Sequence, residues 1–414
     1  MYTDTQINDY LKNFLCSAIL LGSANLPFAR ILTTNELPLD FNAAEGKCYH
    51  RLFPGCEELD NIENHGIELL NKLFDNKNNM EYSFAPLSGT QANQIVYNAI
   101  LNDGDTVLAL SVQSGGHSSY IDFVKKYYNL VEYSYSEKDF DINYRQIDSL
   151  CQKYKPRLII AGTSTFPGNI RFDKLHDICQ KYNVMLLGDI SHTALYIMCK
   201  KHTNAFEYCD FVTFTTHKTT RGPRGAILAY KKEFSKKIEH SIFPLSQGAP
   251  IFSLIVNKVI MLEELCKIDI NSYCNDILSL SKKFINFMTN KGYHFWTGDT
   301  DNHLCILRTP LSIQNYDVMK LMQNNNIWIN ECCFDEYGAT QGIRFGFMML
   351  STLKICEKDF FEISNIIHMI LQNPEENYKE KITKIMLPYY KKVYSSIENK
   401  RILKIINNLT GDII

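Results

Sequence analysis

Five short, uninterrupted apolar runs between residues 106 and 230 restrict the fold more than any other feature of the chain. They read TVLALS (106–111), RLIIAGTS (157–164), VMLLGDIS (184–191), FVTFTTHK (211–218) and GAILAY (225–230). Each is short for a helix and is hydrophobic at consecutive rather than alternate positions. A strand of that kind is buried on both faces, as happens when helices cover both sides of a largely parallel sheet. Covering helices are visible between the runs: NYRQIDSLCQKY precedes the second and DKLHDICQKY precedes the third. In α/β sheets, ligands bind beyond the carboxyl ends of the strands, so the polar residues that close each run are where chemistry is to be sought.

At 414 residues the chain exceeds one ordinary core. Beyond residue 255 a long helical region gives way to shorter strands (HLCILRTP, IWIN, GIRFGFMML) and helices over about 312–325 and 357–372, a smaller α+β domain. The expected division is an N-terminal arm over 1–35, a large domain over 36–255, and a linker helix, small domain and helical tail over 256–414. The tail reads as an amphipathic helix interrupted near Pro388. With 43 basic and 45 acidic side chains the formal net charge is −2, which provides no basic field for nucleic acid. None of the 13 cysteines falls in a C-x-x-C or zinc-type spacing, so free thiols and no metal are expected. The stretch FLCSAILLGSANLPFARIL is broken by Ser, Gly, Asn, Pro and Arg, and no apolar run approaches the roughly 20 residues of a membrane helix. A cytoplasmic protein with neither membrane nor nucleic-acid partner is expected.

The strand ends carry reactive groups. LLGDISH closes on Asp189, Ser191 and His192, AGTSTF on Ser164, and FTTHK on His217 and Lys218, while LALSVQSGGH runs into His117. Upstream, APLSGTQAN sets Ser88, Gly89 and Thr90 before a helix expected over 91–101, where backbone N–H groups and the helix dipole suit a phosphate. Each item alone has an ordinary explanation: a solvated lysine, a helix cap, a turn aspartate. Together in one sheet they match the demands of pyridoxal 5'-phosphate: an amine for a Schiff base, an acid beside the ring nitrogen, a flat side chain over the ring, and a phosphate cradle. Lys218, Asp189, His117 and Ser88-Gly89-Thr90 fill those four roles.

At these motifs the chain resembles the serine hydroxymethyltransferase (glycine hydroxymethyltransferase) family, and the similarity runs in order from about residue 20 to 350. GSANLPFARIL is similar to the family's S-E-N-F segment, and AAEGKCYHRLFPGCEELDNIE to Y-A-E-G-Y-P-G-K-R-Y-Y-G-G-C-E-Y-V-D without a gap. SGTQAN, SVQSGGH, GDISH, TTHKTTRGPRG, FPLSQGAP, GDTDNHL and GIRFG match further blocks in turn. The resemblance implies the fold-type I (aspartate aminotransferase-like) α/β architecture of PLP-dependent transferases, with a mostly parallel seven-stranded sheet and a smaller α+β C-terminal domain. It makes Lys218 the Schiff-base lysine, Asp189 the partner of the pyridinium and His117 the stacking ring. It also gives Ser164 and His192 to the phenolic oxygen or the substrate carboxylate, and His217 to the phosphate. Arg344 would clamp the amino acid's carboxylate with support from Ser23, and Glu45 would be the acid/base near the substrate hydroxyl. Gly248 would reach a phosphate across a homodimer interface.

The resemblance further implies an enzyme that cleaves or forms the Cα–Cβ bond of a β-hydroxy amino acid (glycine, serine or threonine), with tetrahydrofolate as the usual one-carbon partner. Several positions depart from the pattern. Ala43 and Phe53 replace tyrosines, Pro54 and Ala249 replace glycines, Val112 and Ser118 stand where leucines flank G-G-H, and Cys332 stands for a pteridine-binding Asn. These departures leave open a folate-independent threonine transaldolase or aldolase acting on an amino acid and an aldehyde. An oxidative PLP enzyme and an inactive PLP-binding homologue are the remaining alternatives.

Overall fold

All five runs become strands of one seven-stranded sheet. In chain order its strands are β1 (Glu81–Ser83), β2 (Thr106–Leu110), β3 (Asn129–Tyr133), β4 (Leu158–Gly162), β5 (Met185–Asp189), β6 (Phe211–Thr215) and β7 (Ala226–Tyr230), arranged β1-β7-β6-β5-β4-β2-β3. Neighbours from β6 to β3 pair in parallel, whereas β7 is antiparallel to both β6 and β1. The sheet is therefore mixed, with one strand reversed. A parallel return needs a crossover of a dozen or more residues, and the chain between β6 and β7 (216–225) is too short to supply one. The sequence runs miss the two edge strands. β1 has three residues, and β3 is half exposed along most of its length, so neither shows a continuous apolar signal.

Helices α1 (Glu57–Phe74), α2 (Gly89–Ile100), α3 (Ser118–Tyr127), α4 (Tyr144–Tyr154), α5 (Phe172–Tyr182), α6 (Ala194–Met198) and α7 (Phe252–Lys267) accompany the sheet, and α8 (Ile270–Thr289) follows. On one face Ala92, Ile95 and Val96 of α2 pack with Val107, Ile160, Leu187, Phe211 and Leu228. On the other, Phe74 of α1 meets Phe214 at 5.4 Å between ring centroids and Phe206 at 4.4 Å. Burial of each such side chain contributes about 1.5–3 kcal/mol, which holds the strand ends at fixed positions.

The computed structural model describes residues 2–34, 37–76, 80–136, 140–313, 317–334 and 340–411. The sheet lies in a unit formed chiefly by Pro27–Cys274; a second unit draws on Met1–Leu26, Asn275–Cys333 and Ala339–Ile414. The second unit holds an N-terminal helix (Tyr2–Leu15), a three-stranded sheet and C-terminal helices. Strands β8 (Leu304–Arg308), β9 (Asn330–Phe334) and β10 (Thr340–Gly346) lie in the order β8-β10-β9. The helix expected over 312–325 is realised as a single turn at Leu311–Ile313 and a helix over Val318–Asn324 capped by Asp317; residues 314–316 lie outside the described residues. Helix α9 spans Glu357–Gln372, close to expectation.

The tail corrects the sequence reading. Helix α10 (Lys379–Ser396) passes through Pro388 without interruption, and α11 (Lys400–Gly411) follows. Proline removes one backbone donor, but Pro388 and Lys384, whose carbonyl loses that donor, are both exposed, so water can satisfy the freed group. Among the described residues no helix is long and apolar enough to cross a membrane.

Candidate active site

The reversal between β6 and β7 shapes the loop that carries Lys218. Thr216 N donates to Gly225 O at 3.1 Å, Gly222 N to Thr216 O at 2.6 Å, and Thr216 Oγ1 to Pro223 O at 2.6 Å. These bonds close residues 216–225 upon themselves, and Lys218 within the loop is 8% exposed. Arg221 adopts φ +58°, and its guanidinium carbon lies 4.3 Å from the Phe28 ring centre. Beside the lysine, His217 has its imidazole pushed down to about 3 by burial first, then by the charges of Lys218 and Arg224, so the ring is neutral at working pH.

Asp189 ends β5 opposite Gly162 on one side and Thr213 on the other. Its Oδ2 accepts from Asn93 Nδ2 at 2.9 Å and its Oδ1 from Ser191 N at 3.1 Å. Asn93 Oδ1 in turn accepts from Thr213 Oγ1 at 2.7 Å. A buried side chain on α2 thus fixes the orientation of the carboxylate. His192, next to Ser191 in the turn that follows β5, is 3% exposed.

The phosphate-type turn lies at the adjoining strand ends. Ser88 caps α2, its Oγ accepting from Gln91 N at 3.1 Å. A carbon on Gly89 would sit 2.8 Å from Thr215 Cγ2, so only glycine allows this approach to the end of β6. Behind the turn, Lys258 of α7 is fully buried, and its Nζ donates to Phe84 O at 2.6 Å and Pro86 O at 2.8 Å. Pro86 O also accepts from Ala226 N at 3.2 Å, joining the turn to the strand that leaves the lysine loop. Burial pushes the Lys258 ammonium down to about 7, with Glu63 opposing.

His117 caps α3: its Nδ1 accepts from Ser119 N at 3.1 Å, and its backbone N–H donates to the Tyr120 hydroxyl at 2.8 Å. That hydroxyl donates to Gly162 O at 2.8 Å. Ser164 Oγ donates to Gly116 O at 3.0 Å and Ser164 N to Gly115 O at 2.8 Å, so the ends of β2 and β4 are tied together.

Glu45 and Gly248, far apart in sequence, are neighbours: a carbon on Gly248 would lie 3.9 Å from Glu45 Oε1. Glu45 Oε2 is buried without a hydrogen-bond partner. Gln91 links this edge to the phosphate-type turn, donating to Gln247 Oε1 at 2.8 Å and accepting from Leu87 N at 2.6 Å. A cavity of about 570 Å³, lined by residues including Gly46, Arg51, Glu63, Ser83 and Gly248, lies in the same region.

In the second unit, Arg344 projects from β10. Its Nη2 donates to Asn330 Oδ1 at 2.8 Å, and its Nε would lie 3.2 Å from a carbon on Gly22, the neighbour of Ser23. Burial pulls its guanidinium below the usual value. Ser23 and Arg344 thus belong to one unit, whereas Glu45, Ser88, Gly89, Thr90, His117, Ser164, Asp189, His192, His217, Lys218 and Gly248 belong to the other.

The residues fit pyridoxal phosphate. Thr215 Oγ1 and His217 Nδ1 are buried without partners at the strand end that Gly89 approaches, polar atoms that an anionic ligand would satisfy. Sequence reading missed Asn93, Tyr120 and Lys258 as parts of the site. Asn93 was in view within SGTQAN; Lys258 sits in an apolar helix with nothing to distinguish it from a solvated lysine.

Comparison with known proteins identifies the family. The family model described as serine hydroxymethyltransferase matches residues 4–367. Relatives bearing that name include the protein of Rickettsia akari (strain Hartford), 34% identical over 413 residues, covering 94% of this chain and 97% of the relative. The proteins of Rickettsia rickettsii (strain Sheila Smith), 35% identical over 393 residues with 91% and 92% covered, and Rickettsia canadensis (strain McKiel), 34% over 398 residues with 91% and 93% covered, are similar. From the ordered motifs, the strand-end geometry and these matches together, the chain belongs to the serine hydroxymethyltransferase family.

Proposed function

We propose that this protein is a pyridoxal-phosphate-dependent hydroxymethyltransferase that breaks and forms the Cα–Cβ bond of serine, with glycine as the other amino acid and tetrahydrofolate as the one-carbon acceptor. The observation that carries the reading is the pairing of β5 and β6. It sets a carboxylate fixed from two sides, Asp189, beside the strand that leads into the buried amine of Lys218. The relatives carry the hydroxymethyltransferase name, which favours this reaction over the transaldolase and oxidative alternatives.

Lys218 Nζ would be the amine that holds the cofactor. When bound, pyridoxal phosphate supplies an electron sink for the negative charge that develops at the substrate's Cα. Asp189 holds a proton on the ring nitrogen, and His117 covers the ring. Ser88, Gly89 and Thr90 donate to the phosphate from the start of α2, and neutral His217 adds a ring N–H. Ser164 and His192 bind the phenolic oxygen or the substrate carboxylate. Arg344, backed by Ser23, clamps that carboxylate in two-pronged fashion. Glu45 Oε2 takes the proton from the substrate hydroxyl as the Cα–Cβ bond opens and returns it in the reverse direction. Gly248 serves the phosphate held in a second copy of the chain, which makes the working enzyme a homodimer; a fold-type I architecture and a cytoplasmic location accompany this reading.

Borohydride reduction after incubation with pyridoxal phosphate tests the cofactor assignment. A pyridoxyl group is expected on the peptide carrying Lys218 and is expected to be lost in Lys218→Ala; labelling elsewhere overturns it. Glycine production from serine and tetrahydrofolate tests the reaction, and a correctly labelled wild-type protein that makes none would refute the hydroxymethyl transfer.

A further inference from the structure

Two thiols outside the site are placed to react with each other. Cys199 caps the end of α6, and Cys274, in the second turn of α8, closes the Pro27–Cys274 stretch of the unit that contains the sheet. Cys199 Sγ donates to Ile270 O at 3.3 Å. Ile270 lies one turn before Cys274, and side chains of a helix lean back over the preceding turn. The sulfur of Cys274 is therefore directed to the spot where Cys199 lies, and the two side chains hydrogen-bond each other.

Their surroundings differ in a way that suits an attacking and a resolving thiol. Cys199 is partly exposed, whereas Cys274 is fully buried. The hydrogen bond from Cys274 pulls the Cys199 thiol below its ordinary value, with Lys201 assisting against burial and Asp269. The core thiols Cys151, Cys179 and Cys209 are pushed the other way, chiefly by burial.

We propose that Cys199 and Cys274 form a reversible disulfide site that responds to hydrogen peroxide. The Cys199 thiolate attacks one peroxide oxygen; the O–O bond breaks, leaving a sulfenic acid on Cys199 and releasing hydroxide, which leaves as water. The Cys274 sulfur then displaces the sulfenic oxygen, which departs as a second water with the Cys274 proton. Overall, two thiols are oxidised, one peroxide is reduced to two waters, and an S–S bond joins α6 to α8. The proposal is independent of the reaction assigned to the cofactor site.

The test uses full-length, cofactor-loaded protein exposed to hydrogen peroxide, alkylated with iodoacetamide and digested without reductant. The expected product is a cross-linked peptide pair carrying Cys199 and Cys274, two hydrogens lighter than the separate peptides and lost on treatment with dithiothreitol. Cys199→Ser and Cys274→Ser should each lose the cross-link and retain serine cleavage. In Cys274→Ser or Cys274→Ala, dimedone should capture a sulfenic acid on Cys199. Alkylation of both thiols after the peroxide has been consumed, or a cross-link from Cys199 to another cysteine, overturns the proposal.

Discussion

Replacing Lys258 by Met should change how stability depends on pH. In the fold the ammonium titrates near 7, against an ordinary 10.5 in the unfolded chain. Between those values the unfolded chain binds more protons, so stability rises with pH, and the burden of burying the charge is complete below about pH 7. Full relief amounts to about 5 kcal/mol, and about 2 kcal/mol of it accrues between pH 7 and 9. Methionine keeps the packing of the stem but neither titrates nor donates. Pro86 O retains Ala226 N, while Phe84 O loses its lysine donor, a loss of about 1–3 kcal/mol at any pH. Urea unfolding of both proteins at pH 7 and pH 9 isolates the effect, because buried tyrosines and cysteines titrate alike in each. The difference between wild type and Lys258→Met should move by about 2 kcal/mol in favour of wild type on going to pH 9. A difference that stays constant would refute a buried, titrating Lys258.

The other predictions concern the site. Asn93→Ala removes the donor to Asp189 and should weaken pyridoxal phosphate binding by about ten- to a hundredfold, measured by fluorescence titration. Arg344→Lys should raise the KM for serine by about ten- to a hundredfold while leaving cofactor affinity unchanged, since an ammonium cannot make the two-pronged contact. His217, with its ring value lowered to about 3, leaves the unfolded chain binding more protons from there up to 6.5; the stability it contributes is lost as pH falls through that window. His217→Asn should flatten that part of the acid-unfolding profile.

What the sequence revealed follows from which signals are local. Strands β2, β4, β5, β6 and β7 are buried on both faces, and a run of consecutive apolar residues records that directly. β1 and β3 lie at the edges, where half-exposed residues blur the pattern. Lys218, Asp189 and Ser88, each ordinary alone, were legible because together they meet the demands of a single cofactor. Asn93 and Lys258 were not, because their importance comes from what these helix residues meet, an aspartate at a strand end and two carbonyls of a loop. The contact between Glu45 and Gly248 likewise belongs to the tertiary fold. Pro388 misled because its effect depends on whether water reaches the freed carbonyl.

The single reversed strand has a consequence for how such a protein can diversify. Because β7 pairs with both β6 and β1, the segment bearing Lys218 and the segment leading to Ser88 are hydrogen-bonded neighbours of one block, joined again by Ala226 N and Pro86 O. A substitution that shifts one of them strains the other. Ser23 and Arg344 stand in the other unit, and Ala43, Phe53, Pro54 and Ala249 stand outside the strands of the sheet. On the roles proposed above, Ser23 and Arg344 can change with the amino acid that is bound while the block carrying Lys218 and Ser88 stays intact. A lineage built this way can exchange substrates without an ancestor that has lost its cofactor.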